Sequence, residues 1–221
     1  MSPPKITPKA SIVLSISTSK WTTMEDVRQA CKGKPVKITG TTLDLQGCQL
    51  VGTRLPRPDN DQDEDSAALR IAIDGFRLQN GSVRGIPGGI IFRGDALRFI
   101  GLTFLDIGED GLSNIMDQAP DSYIASCSFF GASDKSLQIN DARGLTLIKC
   151  TIAGGTTGCR LQKKATRYKD IKTRLITGMR FVDVDTAWNI SGGVTATESG
   201  TKYEGVRTKV VANSGARMIS A

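Results

Sequence analysis

Six charged side chains in the middle of this 221-residue sequence are of types that could do chemistry together. Four are acids and two are cations: Asp106, Glu109, Asp110, Asp134, Lys135 and Arg160. The sequence contains no histidine, which excludes a Ser-His-Asp hydrolase, a Cys-His protease, a His-ligated zinc site and a histidine general base. An enzyme built on this chain must therefore use carboxylates, lysine, arginine, tyrosine or a hard metal ion.

Several carboxylates without histidine suit a hard, oxygen-preferring cation, and Ca²⁺ fits them best. A neighbouring Arg and Lys suit an acidic sugar, because in β-elimination the C5 proton of a uronic acid leaves from the carbon next to a carboxylate. A cation on that carboxylate stabilises the negative charge that develops. A Lys crowded by cations can act as the base, whereas the pKa of Arg stays above about 12. The alternative interpretation is a solvated charged face with incidental ion pairs.

These six residues come together only if the chain forms stacked coils, and a repeat along the sequence indicates such coils. Six apolar residues recur at intervals of roughly two to three dozen positions: Leu50, Val83, Phe104, Phe129, Ile152 and Phe181. Five positions before each stands a second apolar residue: Leu45, Leu78, Phe99, Ile124, Leu147 and Ile176. Two positions before each stands a small or apolar residue, which is Cys48, Cys127 or Cys150 in three of the coils.

The spacing within each unit is that of short strands separated by Gly, Asn, Asp and Ser. One such unit cannot bury its own apolar face, but coils stacked about 4.8 Å apart bury a continuous inner column. The sequence therefore predicts an all-β, single-domain right-handed parallel β-helix. In this fold Asp110 should lie beside Lys135 and Glu109 beside Asp134. Arg160 should lie two residues further along the next coil, on the same flank.

The N-terminal region differs from the repeat. A capping box from Thr22 to Glu25, followed by Met24, Val27 and Cys31 at helical spacing, predicts a short helix that covers the open first coil. We expect one domain over 1–221, with an N-terminal cap over 1–40, coils over 41–190, and a last coil and tail over 191–221. The five cysteines have no CxxC spacing, which disfavours a zinc ribbon.

The two central motifs resemble those of the small bacterial and fungal pectate lyases of polysaccharide lyase family 3. Residues 104–111 are similar to the family's Glu-Asp-Val-Cys-Glu-Asp-Ala, and residues 134–140 to its Asp-Lys-Val-Phe-Gln-His-Asn. Arg160 stands one coil later, where the family places an Arg. The resemblance spans roughly 97–162 and implies Ca²⁺ as cofactor, with Lys135 and Arg160 as the catalytic pair. It implies that the calcium ligands or their supports are Asp106, Glu109, Asp110 and Asp134.

Two further charged segments flank this region. A basic run over 163–174 could line the path of a polyuronate chain, with Lys163, Lys164 and Arg167 as candidate substrate-binding residues. An insertion between Leu50 and Val83 carries five acids over 59–65, and its prolines predict an exposed loop.

Three functions remain as hypotheses. The first is a Ca²⁺-dependent polysaccharide lyase acting on pectate or a related polyuronate. The second is a non-catalytic β-helix, such as a virion tail or adhesion module, that binds surface glycans. The third is a β-helix glycoside hydrolase that uses paired carboxylates as acid and base.

The net charge of +7 favours an acidic partner, and we expect an acidic polysaccharide. We expect no nucleic acid, because the basic run contains one aromatic residue and matches no nucleic-acid-binding module. We expect no membrane, because no apolar run reaches about 18 residues. The expected location is extracellular, secreted or virion-associated, although no signal peptide is visible in this sequence. A homo-oligomer is left open, with a trimer expected for a virion tail component.

Overall fold

The computed structural model describes residues 2–13, 21–52, 67–85, 88–114, 120–163 and 171–221. Within these residues there is one helix, α1 (Met24–Ala30), and 23 strands. The strands from the first coils are β1 (Ser11–Val13), β2 (Lys37–Thr39), β3 (Thr42–Asp44), β4 (Gln49–Val51), β5 (Ala67–Ala72), β6 (Arg77–Arg84), β7 (Gly88–Arg93), β8 (Arg98–Leu105) and β9 (Leu112–Asn114).

The middle coils contain β10 (Tyr123–Ala125), β11 (Ser128–Phe130), β12 (Lys135–Ile139), β13 (Thr146–Ile148), β14 (Thr151–Ala153), β15 (Thr157–Leu161), β16 (Ile171–Lys172), β17 (Leu175–Thr177), β18 (Arg180–Val182) and β19 (Thr186–Ile190). The last coils contain β20 (Val194–Ser199), β21 (Lys202–Glu204), β22 (Thr208–Ala212) and β23 (Arg217–Ser220). The region predicted as last coil and tail thus contains four strands.

The strands stack into a parallel β-solenoid of about six turns, so the predicted parallel β-helix is confirmed. A 16-stranded sheet covers two faces of the solenoid, and its long strands β6 and β8 run through both of them. A seven-stranded sheet, from β5 to β22, forms the third face. All of these pairings are parallel except that between β2 and β3.

The predicted apolar column is confirmed. Phe129 pairs with Phe104 on one side and with Ile152 on the other, and Ile152 pairs with Phe181. The Phe104 and Phe129 rings stack 4.5 Å apart at an interplanar angle of 10°. The cysteines at the inward position two residues earlier are also buried and have free thiols, as expected of small core residues.

The predicted register is wrong at the first coil. The neighbour of Leu78 is Leu43, and not Leu45. The cause is the length of the first corner, because Leu43 and Leu50 are seven positions apart whereas Leu78 and Val83 are five apart. Leu45 is nevertheless buried in the same core.

The corners between faces are marked by residues with a left-handed backbone. Asp106, at the corner directly after β8, has a φ of 51°. The equivalent corners after β11, β14, β18 and β21 have φ between 53° and 72° at Gly131, Gly154, Asp183 and Gly205. Glycine adopts this conformation without a steric penalty, and Asp is among the few other residues that tolerate it. Asp106 therefore has a backbone role at this corner.

A row of small residues begins the third face and fixes how tightly the chain can turn there. A Cβ added at Gly111 would lie 2.6 Å from the carbonyl oxygen of Ser136 and 2.9 Å from the Phe129 ring. A Cβ added at Gly158 would lie 2.6 Å from the Phe181 ring. The large aromatic column and this small-residue row are thus complementary, and together they hold the start of β12 against the core.

The predicted N-terminal helix is confirmed, but its capping box lies one residue later than expected. Thr23 is the N-cap: its hydroxyl accepts from the Asp26 N–H, and the Asp26 carboxylate accepts from the Thr23 N–H. Thr22 cannot serve because its N–H donates to the Arg70 carbonyl oxygen as part of a bridge to the first coil. Val27 of α1 is fully buried in the solenoid core, so the helix covers this end.

Replacing Thr23 by Ala should lower the free energy of unfolding by about 1 kcal/mol, since the Asp26 N–H loses its acceptor. Thr23→Ser, which keeps the hydroxyl, should restore most of the loss. Chemical denaturation checks this, with Thr7→Ala in the exposed N-terminal arm as a control. A Thr23→Ala variant as stable as Thr7→Ala would show that the capping box contributes nothing.

Candidate functional site

Lys135 and Asp110 form the centre of the charged cluster. Lys135 is the first residue of β12, and its carbonyl oxygen accepts from the Gly111 N–H of the preceding coil at 2.9 Å. The Lys135 Nζ lies 3.2 Å from Asp110 Oδ1 and also contacts Asp134 Oδ2. The predicted proximity of these three residues is therefore present, and it follows from the parallel stacking of adjacent coils.

This pair is withdrawn from solvent. The Lys135 side chain is 12% exposed and the Asp110 side chain 19% exposed, whereas that of Asp134 is 55% exposed. Burial raises the pKa of Asp110 above its ordinary value, although the charge and hydrogen bond of Lys135 oppose that shift. The Ser113 side chain also acts to lower the pKa of Asp110. Asp110 is thus a largely buried carboxyl group whose pKa is higher than that of an exposed carboxyl group.

The raised pKa of Asp110 predicts a pH dependence of stability. The folded protein binds this proton more tightly than the unfolded chain, so the contribution is fully present below the unfolded pKa of about 3.9. It is lost as the pH rises through the higher folded value. In urea titrations at a series of pH values, the unfolding free energy of the wild type minus that of Asp110→Asn should fall with rising pH. A difference that rises with pH contradicts this assignment.

Glu109 lies beside Asp134, as the register predicted. The Asp134 N–H points to the Glu109 carbonyl oxygen at 3.4 Å, and the Thr157 N–H of the next coil donates to the Asp134 carbonyl oxygen at 2.9 Å. Both carboxylates belong to the corner that leads into the third face. This corner therefore has an acidic outer edge next to the Lys135–Asp110 pair.

Asp106 is held apart from this group by a different partner. Its Oδ2 lies 2.6 Å from Arg84 Nη2 of the preceding coil, and both side chains are more than half exposed. Exposed ion pairs of this kind stabilise a fold by roughly 0–1 kcal/mol. Asp106 therefore has a structural role: its backbone forms the corner and its side chain pairs with Arg84 at the surface.

Arg160 lies on the same sheet as Lys135, but one position further along than predicted. It pairs with Gln138, three residues beyond Lys135, and with Asn189 on the next coil. The corner before β15 has three residues, 154–156, whereas that before β12 has four, 131–134. Three residues of extended strand place the backbones of these positions about 10 Å apart along the sheet. The Arg160 Nε is buried and has no hydrogen-bond partner among the described residues.

The four predicted carboxylates do not form a metal site as they stand. Among the described residues, no group of three or more Asp, Glu, Cys or His side chains could hold a metal ion. The Lys135 ammonium contacts both Asp110 and Asp134, and Arg84 binds Asp106, so cationic side chains already neutralise three of the acids. Calcium binding therefore stays a prediction.

The side chains bonded to the Lys135 Nζ are carboxylates, those of Asp110 and Asp134, and not cations. Of the three predicted substrate-binding residues, Lys163 is partly exposed at the end of the third face. The other two, Lys164 and Arg167, lie outside the described residues, as does the acidic insertion over 59–65.

Sequence reasoning missed three residues that contact or flank the cluster: Arg84, Ser113 and Gln138. Arg84 could have been found, because it lies directly before the corner on the coil below Asp106. Ser113 and Gln138 pair with each other in the row that continues to Arg160, and both are less than a tenth exposed. A small hydroxyl and a neutral amide carry no charge signal, so only the sheet register reveals them.

No known protein family model matches this chain, and no curated protein matches its sequence. The part of the chain that the structure describes has no helix long and apolar enough to cross a membrane. The features that bear on function are therefore the parallel β-solenoid and the contacts of Lys135 with Asp110 and Asp134.

Proposed function

We propose that this protein is a polysaccharide lyase that cleaves an acidic polyuronate by β-elimination. The observation that carries the proposal is the Lys135 ammonium, which lies largely buried between Asp110 and Asp134, with Arg160 one coil further on in the same sheet. A buried carboxylate with a raised pKa and a specific charged partner, such as Asp110 beside Lys135, marks a candidate functional site. The resemblance of residues 97–162 to the small pectate lyases supports the assignment of Lys135 and Arg160 as the catalytic pair.

Arg160 is the group best suited to bind the uronate carboxylate. Its side chain is partly exposed on the same sheet as Lys135, and a guanidinium binds a carboxylate through two parallel hydrogen bonds. Lys163 follows two residues after β15 and adds positive charge at the end of the same face. The net charge of +7 would attract a polyanionic chain to the protein.

Lys135 is the proposed base, with Asp110 as its proton acceptor. Proton transfer from the Lys135 Nζ to Asp110, whose pKa is raised by burial, leaves a neutral amine. That amine takes the C5 proton of the sugar. The electron pair of the C–H bond becomes the C4=C5 double bond, and the C4–O bond breaks with its electrons on the oxygen of the departing sugar. That oxygen takes up the proton held by Asp110, which restores the carboxylate. Arg160 stabilises the negative charge that develops at the carboxylate.

The test is incubation of the purified protein with polygalacturonate, alginate and pectin, each with added Ca²⁺ and each with chelator. The expected product carries an unsaturated end that absorbs in the ultraviolet. Loss of the product with chelator would establish the calcium requirement. If no polyuronate yields this absorbance in either condition, the lyase proposal is wrong.

A second candidate function, a non-catalytic β-helix that binds surface glycans, is favoured by one observation. The contacts of Lys135 with two carboxylates are also those of a structural ion-pair network. Glycan binding without cleavage, unaffected by Lys135→Ala, would identify this function. Saturated reducing ends formed without a metal requirement would instead identify a hydrolase. An extracellular or virion-associated location is proposed with either glycan-directed function.

A further inference from the structure

Two arginines and a tyrosine lie side by side on the outer surface of the first face, which consists of β3, β10, β13, β17, β20 and the first halves of β6 and β8. Arg77 pairs with Arg98 on the next coil, and Arg98 pairs with Tyr123 on the coil after that. Because the adjacent strand residues Leu78 and Phe99 are buried in the core, the two arginine side chains point outward. Arg98 is exposed, and Arg77 and Tyr123 are partly exposed.

The two arginines carry like charges at directly opposed positions. Parallel strands lie about 4.8 Å apart, and like charges opposite each other in a sheet are destabilising. Among the described residues, no ion pair joins Arg77 or Arg98 to a carboxylate. The corner before this face carries Asp74 and Asp95, but the Asp74 carboxylate accepts from the Asp95 N–H at 2.9 Å. The two guanidinium groups can therefore bind an anion that comes from outside the chain.

Other surface arginines of the solenoid are neutralised. Three of them each bind a carboxylate at N–O distances of 2.6 to 2.9 Å: Arg84 with Asp106, Arg174 with Asp121, and Arg180 with Glu204. Arg77 and Arg98 depart from this pattern, although they lie on central coils where acids of neighbouring strands could have paired with them. Departures from a local stability rule are expected mainly at functional positions.

An aromatic ring and apolar side chains adjoin the two guanidinium groups. The guanidinium carbon of Arg98 lies 5.8 Å from the centroid of the Tyr123 ring, a contact that holds the charge beside the ring. Ile100 is partly exposed two residues after Arg98. Leu175, two coils beyond Tyr123 in the same row, is 42% exposed. This surface suits a ligand that has both an anionic group and an apolar ring face.

A sugar acid has both features. Its carboxylate accepts two parallel hydrogen bonds from a guanidinium, and the C–H groups on one face of its ring can pack on an aromatic side chain. In a linked chain the carboxylate recurs with every sugar, at an interval comparable to the spacing of the coils. Successive carboxylates can therefore meet Arg77 and Arg98 when the chain lies along the solenoid axis. A nucleic acid fits less well, because its bases stack on several aromatic side chains in succession.

We propose that the surface formed by Arg77, Arg98 and Tyr123 is a non-catalytic binding site for an acidic polysaccharide. The two arginines bind carboxylates of successive sugars, and one sugar ring packs on Tyr123. This surface is on the first face, whereas Lys135 is on the third face. The site therefore holds the protein on an acidic glycan whether or not the Lys135 cluster cleaves that glycan.

The first test locates the site on the unaltered protein with an arginine-selective dicarbonyl reagent and peptide mapping. Chelator is present, because it removes the calcium that cleavage is expected to require. Polygalacturonate should protect Arg98 from modification, and neutral dextran should not. Arg28 of α1, whose side chain is 49% exposed, is the reference position and should react equally with either polymer. Equal protection of Arg98 and Arg28, or stronger protection of Arg98 by single-stranded DNA, would overturn the proposal.

The second test measures affinity for immobilised polygalacturonate by surface plasmon resonance, again with chelator. Arg77→Gln/Arg98→Gln should lower the affinity about tenfold or more, because charge-assisted hydrogen bonds to the carboxylates are lost. The matched control Lys32→Gln/Lys34→Gln removes the same charge from two exposed lysines after α1 and should bind as the wild type does. Equal affinities of the two double variants would contradict a site at these arginines.

The role of the ring is tested in the same assay. Tyr123→Phe keeps the aromatic face and should bind as the wild type does, whereas Tyr123→Ser should bind more weakly. Tyr123→Ser with wild-type affinity would show that no sugar packs on this ring. Binding through Arg77 and Arg98 without cleavage of any polyuronate would support this site and contradict only the lyase proposal, so the two failures are distinguishable.

Discussion

Replacing Lys135 by Ala should reduce polyuronate cleavage by roughly a hundred- to ten-thousand-fold, the range in which a positioned proton acceptor contributes. The Nζ is the only atom of this side chain able to take the C5 proton, and it contacts both Asp110 and Asp134. The appearance of ultraviolet-absorbing product measures the loss. The rate constant should fall more than substrate affinity, because Arg160 still binds the carboxylate in this variant.

The substitution also leaves Asp110 without its buried partner, so a folding defect must be separated from a catalytic one. The double variant Lys135→Met/Asp110→Asn removes both charges and should fold while remaining inactive. Lys37→Ala, at an exposed position of β2, is the matched control and should keep full activity. Wild-type rates in a folded Lys135→Ala variant would exclude this residue as the base.

Replacing Phe129 by Ala should lower the free energy of unfolding by about 3–5 kcal/mol, the usual cost of removing a buried aromatic side chain. Phe129 is 1% exposed, stacks on Phe104 at 4.5 Å and pairs with Ile152 on the next coil. Its loss opens a cavity that the backbone cannot fill, because neighbouring coils fix the strand on both sides. Chemical denaturation of the wild type and the variant measures the difference.

Leu175→Ala is the matched control for this prediction. Leu175 is 42% exposed on the outer surface, and its truncation should cost less than about 1 kcal/mol. A Phe129→Ala variant that loses no more stability than Leu175→Ala would mean that the aromatic column is not a principal source of stability.

The sequence was sufficient to predict the fold and the main apolar column. The reason is physical, because a residue that points into the core must be apolar on every coil. The apolar residues from Leu50 to Phe181 therefore show which positions of successive coils pair with each other. Corners carry no such constraint, because they are exposed and can gain or lose residues. The two register errors, at Leu45 and Arg160, both come from corners of unequal length.

The candidate site was predicted in part for the same reason. Asp110, Asp134 and Lys135 follow two corners of compatible length, so their proximity could be read from the repeat. The separation of Asp106 could not, because it depends on Arg84 of the coil below. Whether a carboxylate meets another acid or a guanidinium is decided by side-chain direction at a corner, which residue spacing does not specify.

The five buried cysteines can serve as probes of local unfolding in the solenoid. Cys31 is the C-cap of α1 and Cys48 lies in the first coil, whereas Cys127, Cys150 and Cys159 lie in the middle coils. None of the five is more than 5% exposed. A thiol-alkylating reagent can modify each only after its own layer opens, so peptide mapping after brief labelling would time the opening of each layer separately. In stacked repeats, stability is shared mainly between nearest neighbours. The order of labelling would therefore distinguish fraying from one terminus from concerted melting.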